Sequence, residues 1–309
     1  MTSVPPTTFL VFGDLHGRVL PAFRLAACWA RDHAAPVAGV LQVGDLGYFP
    51  DPGRMDRATL RHAKDDPLEL GVLDVVRPTE LADRVFADPH APPGLWFTAG
   101  NHEDFKELDR RGLASGKQPA FGVDAYWKVR GIKDGHVKVL PERSTWVIEP
   151  PPELAAEPAD AAAELRVGAV WGVDGDGPNG RKNLPPRGYI DHRAVDRLAW
   201  EEFDVLLSHD APKDAKRVGY GSEALRALIG VAKPKFAFFG HYGGDGSWLE
   251  GEPGETQVYH LAGFELRTRD GHPETGSVGV LDHTAGGWEF NFIGDDDLKP
   301  FSRHNWKWV

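Results

Sequence analysis

The sequence predicts an α/β fold, and two observations support this prediction. Short apolar runs such as "TTFLVF", "VAGVLQV" and "KPKFAFF" recur along the chain, and each is followed by a loop rich in glycine or polar residues. Runs of this length that end at glycine are typical of buried strands. Segments with helical spacing of apolar residues lie between them, for example "RVLPAFRLAACWARDHAAP", where Pro36 predicts the helix end. Strands that alternate with helices favour an α/β architecture.

Composition and length predict one packed domain over residues 1–309. The chain has 309 residues, of which 41% are hydrophobic and 26% are charged, so a sizeable core is expected. Loop-rich excursions are expected at about 105–165 and 174–190. The formal net charge of −11 argues against broad, non-specific binding to nucleic acid. Nucleic acid is therefore expected only as a substrate.

Cysteine use and the N-terminal sequence favour a cytoplasmic protein. Cys28 is the single cysteine, so no disulfide can form within the chain and a cysteine-rich zinc site is excluded. The start "MTSVPPTTFLVFGDLH" lacks the basic segment of a signal peptide. No apolar run approaches the ~20 residues of a membrane span, so no membrane partner is expected. The sequence carries no signal for an oligomeric state.

Chemically related side chains follow five predicted strands. Each alone has an ordinary explanation, such as a helix cap or a turn. Together they would meet at one edge, because ligands collect at the carboxyl ends of strands in α/β folds. Two buried carboxylates are costly without a cation, and mixed carboxylate, amide and imidazole ligands suit Mn, Fe, Ni or Zn. The candidate residues are Asp14, His16, Asp45, Asn101, His102, His209 and His241.

The order of these motifs resembles the calcineurin-like metallophosphoesterase superfamily. The matching motifs are "GDLHG", "GDLG", "GNHE", "SHD" and "GHYG", spread over residues 12–243. In motif form the chain looks most like the branch with the RNA lariat debranching enzymes and their bacterial relatives. The resemblance implies two packed mixed β-sheets flanked by helices, a four-layer αββα sandwich.

The resemblance also implies a centre of two divalent metal ions. The ions would activate water for in-line attack on phosphorus and neutralise the developing charge. Asp45 would bridge the ions, Asp14 and His16 would bind the first, and Asn101, His209 and His241 would bind the second.

Two further residues are candidates for contact with the substrate. By its place in "GNHED", the resemblance implies that His102 binds the phosphate and protonates the leaving oxygen rather than binding metal. Together with Asp45 it forms the predicted catalytic pair. Arg18 follows "GDLHG", where a guanidinium could meet a phosphate.

The last motif departs from the family pattern at Gly243. The family has a second histidine two residues after the one that corresponds to His241, and it serves the first metal. The first site is therefore expected to be weak, with Asp245 or His260 as candidate substitutes.

The predicted function is metal-dependent hydrolysis of a phosphoester, with a phosphodiesterase or nuclease-like activity first. One alternative is a phosphomonoesterase acting on a phosphoprotein or a small metabolite. A second is a degenerate metal-binding protein without turnover, which Gly243 favours and the intact Asp45 and His102 disfavour.

Overall fold

The computed structural model describes residues 7–114, 120–126, 135–151, 164–176, 180, 182–251, 254–267 and 270–309. Within these residues the chain forms thirteen strands and eight α-helices. The strands are β1 (Thr7–Phe12), β2 (Val37–Gln42), β3 (Leu95–Phe97), β4 (Phe121–Gly122), β5 (Val137–Val139), β6 (Trp146–Ile148), β7 (Leu165–Val170), β8 (Val205–Ser208), β9 (Phe236–Phe239), β10 (Ser247–Glu250), β11 (Gln257–His260), β12 (Val278–Thr284) and β13 (Gly287–Phe292). The helices are α1 (Val19–Asp32), α2 (Arg57–His62), α3 (Leu73–Val76), α4 (Glu80–Phe86), α5 (Phe105–Ala114), α6 (His192–Leu198), α7 (Glu223–Ala232) and α8 (Asp295–Leu298).

The strands form two mixed sheets. The first has seven strands in the order β13-β12-β1-β2-β3-β5-β4, and β1, β2, β3 and β5 run parallel. The second has six strands in the order β10-β11-β9-β8-β7-β6, and β7, β8, β9 and β11 run parallel. Each sheet thus has a parallel centre with antiparallel strands at its margins.

The side chains of β1 show how the layers are covered. Successive residues of a strand point to opposite faces. Phe9 and Val11 pack in the core between the sheets, together with Leu207 and Phe238 of the second sheet. Leu10 and Phe12 pack in a different core with helix α1. Both faces of β1 are therefore buried. This explains why apolar and polar residues do not alternate along most of its sequence.

The second sheet is covered in the same way. Val205 and Leu207 of β8 face the core between the sheets, whereas Leu206 faces a third core with α6 and α7. The order of layers is therefore helices, sheet, sheet, helices. This confirms the predicted four-layer αββα sandwich.

The two predicted loop-rich excursions contain some regular structure. The first includes α5 and the short strands β4, β5 and β6, while residues 115–119, 127–134 and 152–163 lie outside the described part. In the second, a short 3₁₀ turn spans Pro186–Gly188, and residues 177–179 and 181 lie outside the described part. In the described ranges, no helix is both long enough and apolar enough to cross a lipid bilayer.

Arg18 does not take the place that the sequence predicted. Its side chain is fully buried, and its guanidinium pairs with Asp66 at 2.7 Å and Glu69 at 3.2 Å. It also donates a hydrogen bond of 2.7 Å to the carbonyl oxygen of His16. Because the side chain is fully buried and does not line the cavity over the site, its guanidinium cannot meet a substrate phosphate. The prediction of phosphate contact is therefore corrected: Arg18 supports the His16 loop from inside the fold.

We expect Arg18→Ala to lower the free energy of unfolding by about 3 kcal/mol. Removing one partner of a buried ion pair costs roughly 3–5 kcal/mol, because the other charge stays buried without compensation. The lower end applies because Arg267 also pairs with Glu69, and Arg303 lies 3.8 Å from Asp66. Urea unfolding of the metal-free protein measures the change.

Arg31→Ala is the matched control. Arg31 pairs with Asp32 on the surface of α1, with about half of its side chain exposed. This substitution should change the free energy of unfolding by no more than about 0.5 kcal/mol, as is usual for surface positions. Equal effects of the two arginine substitutions would contradict the structural role of Arg18.

Candidate metal centre

The predicted metal ligands and His102 lie together at one end of the sandwich. Each follows the carboxyl end of a parallel strand, where the backbone turns away from the sheet. The first sheet contributes Asp14 and His16 after β1, Asp45 after β2, and Asn101 and His102 after β3, and the second contributes His209 after β8 and His241 after β9. The centre therefore draws on both sheets.

The carboxylate of Asp45 lies at the middle of the centre. Its Oδ1 accepts hydrogen bonds from the backbone N–H groups of Asn101 at 2.7 Å and His102 at 2.8 Å. Its Oδ2 lies 3.2 Å from Nε2 of His209 and 3.8 Å from Nε2 of His16. Burial alone would raise the pKa of Asp45, but His209 and His102 hold that pKa well below its usual range.

One group of potential ligands joins the two sheets. Donor atoms of Asp45, His209 and His241 all lie within 4.8 Å of one another. His209 is fully buried, and its Nδ1 lies 3.2 Å from the carbonyl oxygen of Val43. Nδ1 of His241 lies 3.2 Å from Nε2 of His209. A carboxylate and two imidazoles at these distances can bind one divalent ion.

A second group shares Asp45 with the first. Donor atoms of Asp14, His16 and Asp45 also lie within 4.8 Å of one another. The carboxylate oxygens of Asp14 each lie 3.2 Å from the backbone nitrogen of His241, which fixes its orientation. Burial raises the pKa of Asp14. Because Asp45 belongs to both groups, its position suits a carboxylate that bridges two ions.

The glycines before the ligands pack directly against ligands from other strands. A Cβ at Gly240 would lie 2.0 Å from Oδ1 of Asp14, and one at Gly100 would lie 2.1 Å from Oδ1 of Asp45. Gly44 has a φ of +105°, and a Cβ there would lie 2.7 Å from Nδ1 of His209. The motif glycines are thus needed for close approach between neighbouring loops.

The side-chain oxygen of Asn101 shows whether the candidate ligands fit a metal ion. Its side-chain oxygen is buried and has no hydrogen-bond partner, which is costly in a protein interior. It follows β3 directly beside Asp45, to which its backbone N–H is bonded. An amide oxygen in this position is a suitable ligand for a divalent cation. The donor set and this unpaired oxygen together fit the metal centre that the sequence predicted.

His102 contacts a carboxylate outside both ligand groups, that of Asp56. Its Nδ1 lies 2.6 Å from Oδ2 of Asp56, whose other oxygen accepts from the backbone N–H of Thr59 at the start of α2. Burial alone would lower the pKa of His102, but Asp45 and Asp56 raise that pKa to about 9. Nδ1 is therefore engaged, and Nε2 is the nitrogen that can meet a substrate.

Two acidic residues that support the site were not singled out from the sequence. Glu103 is buried and accepts hydrogen bonds from the backbone of Leu46 at 2.8 Å and of Tyr48 at 2.6 Å, so it fixes the loop after Asp45. Its place in "GNHE" was a usable signal. Asp56 offered no such signal, because only the folded chain brings it to His102.

An open cavity of about 320 Å³ lies over the centre. Asp14, His16, Asp45, His102 and His241 line it, whereas Arg18 does not. Its remaining lining residues include Thr59, His62, Gly243, Glu265, Arg267 and Glu274. Arg267 is the arginine among the described residues that line this cavity.

Neither proposed substitute for the ligand missing at Gly243 reaches this cavity. Nε2 of His260 lies 2.7 Å from the carbonyl oxygen of Tyr242, and its Nδ1 lies 2.9 Å from Nζ of Lys216. Both ring nitrogens are thus engaged in the interior. Asp245 is exposed and is not among the lining residues. A Cβ at Gly243 itself would meet nothing within 4 Å.

We expect Gly240→Ala to weaken metal binding by roughly 10–100-fold, the usual effect of disturbing residues that orient a ligand. The new methyl group would displace the carboxylate of Asp14, with which it would overlap. Titration of the metal-free protein with Mn²⁺ in a calorimeter measures the change.

Gly230→Ala is the control for this prediction. Gly230 lies inside α7, and a Cβ there would meet nothing within 4 Å. Metal affinity should stay unchanged, and the free energy of unfolding should rise by up to about 1 kcal/mol from helix propensity. Unchanged Mn²⁺ affinity in Gly240→Ala would show that Asp14 is not held against the centre in this way.

Comparison with solved structures returns distant neighbours. GAP50, the anchor in the inner membrane complex of Plasmodium, is 9% identical with a TM-score of 0.46, and the match covers 94% of this chain and 85% of that one. A predicted phosphoesterase from Streptococcus pneumoniae is 12% identical with a TM-score of 0.35, covering 95% and 92% of the two chains. A 5'-nucleotidase from Candida albicans is 10% identical with a TM-score of 0.44, covering 97% of this chain and 53% of that one.

Comparison of sequences assigns the family. No curated protein matches this chain significantly. The sequence profile of the calcineurin-like phosphoesterases matches residues 7–243, from the first residue of β1 to the glycine after the last histidine motif. The matched range contains every residue of the two ligand groups and His102. The chain belongs to the calcineurin-like phosphoesterase family and is a hydrolase that acts on phosphoester bonds.

Proposed function

We propose that this protein is a phosphodiesterase that works through two divalent metal ions. The observation that carries the proposal is the pair of ligand groups that share Asp45, with His102 beside them at the cavity. Membership of the family implies metal-dependent hydrolysis of a phosphoester. The proposal adds the number of ions, the residues that hold them and the class of ester.

The chain's own residues would hold the two ions through the shared carboxylate. When bound, divalent ions activate water as the nucleophile and neutralise the charge that develops on the phosphoryl oxygens. Asp45 would contact both ions. Asp14 and His16 would hold the first, and Asn101, His209 and His241 would hold the second.

His102 would act on the leaving group. Its Nδ1 is held by Asp56 at 2.6 Å, which leaves Nε2 to face a phosphoester in the cavity. An imidazolium there can bind a phosphoryl oxygen and donate its proton to the oxygen that departs. Asp56 would keep the ring in this orientation, in the way that a carboxylate orients a catalytic histidine in other hydrolases.

A second cavity favours a diester over a monoester. It measures about 360 Å³ and borders the first, because His241, Tyr242 and Gly243 line both. Lys213, Arg217 and Tyr220 also line it, and the guanidinium of Arg217 lies 4.4 Å from the ring centre of Tyr220. A phosphate at the metals would thus have room for an organic group on each side.

Several narrower points belong to the same proposal. Because both sheets supply ligands, we propose that residues 1–309 act as one domain. Manganese is the ion that we would test first, and a nucleic acid is one candidate diester. The resemblance to the lariat-debranching branch and a cytoplasmic location stay predictions.

The test of this function compares two synthetic esters. The metal-free protein should hydrolyse neither bis-p-nitrophenyl phosphate nor p-nitrophenyl phosphate, and Mn²⁺ should restore turnover with the diester preferred. Asp45→Ala should abolish this turnover and lower the Mn²⁺ content of the purified protein, because it removes the shared ligand. Absorbance of released nitrophenolate and elemental analysis give the two readouts.

The other outcomes separate the alternatives. Preference for the monoester would replace the proposal with a phosphomonoesterase. Mn²⁺ binding without turnover of either ester would identify a degenerate binding protein. Full turnover by protein shown to be free of metal would refute the metal-dependent mechanism altogether.

We expect His102→Ala to lower kcat by roughly 10²–10⁴, the usual contribution of general acid catalysis. The Mn²⁺ content should stay near that of the unchanged protein, because His102 is assigned to the leaving group and not to an ion. The loss should shrink for esters with more acidic leaving groups, which need less protonation. A loss of Mn²⁺ from this variant, measured by elemental analysis, would show that the assigned role is wrong.

A further inference from the structure

The first metal site lacks one ligand relative to the family pattern. The described residues near Gly243 offer no replacement, because His260 is engaged in the interior and Asp245 faces solvent. Asp14, His16 and Asp45 would then be the full protein contribution to the first ion. A ligand for this position must come from another segment that lines the cavity.

Glu265 is an acidic residue in the right place. Its side chain lines the metal cavity, and its Oε1 lies 3.7 Å from Nε2 of His16. Two atoms that bind one ion at 2.0–2.2 Å cannot be more than about 4.4 Å apart. The distance from His16 to Glu265 meets this limit, as does the 3.8 Å from His16 to Asp45. Glu265 is not within the 4.8 Å group of Asp14, His16 and Asp45, so its Oε1 has to turn toward that group for all four ligands to meet one ion.

The backbone on both sides of Glu265 is tied to the centre and to the fold. The N–H of Phe264 donates to the carbonyl oxygen of Asp14 at 2.8 Å. The carbonyl oxygen of Leu266 accepts from the guanidinium of Arg303 at 2.9 and 3.0 Å. Leu266 has a φ of +54°, an uncommon conformation for a branched side chain. Glu265 is therefore held in position beside the first ligand group.

The second carboxylate oxygen of Glu265 has a structural partner. Oε2 is buried and forms an ion pair with Arg267, without a hydrogen bond among the described residues. Arg267 also pairs with Glu69. Only 18% of the Glu265 side chain is exposed. An arginine that holds one oxygen leaves the other oriented toward His16, as outer partners do for metal ligands in general.

We propose that Glu265 supplies the fourth protein ligand of the first ion, in place of the histidine that the family has at the position of Gly243. This inference rests on the proposed two-metal function. It gives the first site three carboxylates and one imidazole, whereas the second keeps one carboxylate, one amide and two imidazoles. Oxygen-rich sites suit Mn²⁺ better than nitrogen-rich sites do. The first site is therefore built for a harder ion than the second.

The experiment is a titration of metal-free protein with Mn²⁺, followed by calorimetry and by the electron paramagnetic resonance signal of free Mn²⁺. The unchanged protein should bind two ions. Glu265→Gln keeps the size of the side chain but removes its charge. It should raise the Kd of one site at least tenfold, which is about 1.4 kcal/mol, and leave the other within about threefold.

Glu274→Gln is the matched control. Glu274 lines the same cavity and is partly buried, so its substitution removes an equal charge from the same space. Both sites should stay within about threefold of the unchanged protein. Equal weakening by the two glutamine substitutions would show a general effect of cavity charge and would overturn the proposal.

If Glu265→Gln does not fold, Glu265→Asp retracts the carboxylate with its charge kept, and the same tenfold loss is expected.

The stoichiometry separates this inference from the proposed function. Two Mn²⁺ ions bound by the unchanged protein, with neither affinity altered in Glu265→Gln, would overturn the role of Glu265 and leave the two-metal centre standing. A single ion or none bound by the unchanged protein at millimolar Mn²⁺ would overturn both. Selective loss of one site in Glu265→Gln, with Glu274→Gln unaffected, supports the assignment.

Discussion

The carboxylate of Asp45 is the interaction on which the rest of the centre depends. Its two oxygens meet the backbone of the β3 loop on one side and imidazoles from both sheets on the other. Asp45 itself has a φ of +52°, a strained conformation that the surrounding contacts hold in place. Gly100 must stay without a side chain, because a Cβ there would overlap this carboxylate. The packing of the two sheets and the position of each ligand are thus linked through one side chain.

Charge beneath the centre is balanced by arginines that pair with buried carboxylates. Arg18 is buried between Asp66 and Glu69, and Glu69 also pairs with Arg267 at the cavity wall. Arg267 in turn holds Glu265. This chain of ion pairs connects the loop of His16 in the interior with the opposite wall of the cavity. The arginine directly after the first ligand motif is therefore structural. Buried carboxylates are costly without a partner of opposite charge, and Arg18 provides that partner.

The glycine at position 243 affects both the centre and the space around it. It stands where the family pattern has a histidine, and it lies where the two cavities meet. A bulky side chain there would stand between the metal cavity and the surface formed by Lys213, Arg217 and Tyr220. The glycine thus leaves open space where the two cavities meet. Glu265, from a segment outside the matched family range, lines the metal cavity together with Gly243.

The local sequence was enough to predict the α/β class, the strand ends and the seven residues around the centre, because each ligand directly follows an apolar strand. Parallel strands bring such loops to one edge, so short motifs carry the chemistry. The sequence could not assign Arg18, Asp56 or Glu265, whose roles depend on partners far away in the chain. Arg18 faces Asp66 and Glu69 at a 3₁₀ turn over Pro67–Leu70. Asp56 reaches His102 from the start of α2, and Glu265 reaches His16 from beyond β11. Only tertiary packing sets these distances, because the two partners of each contact lie on segments that are far apart in the chain.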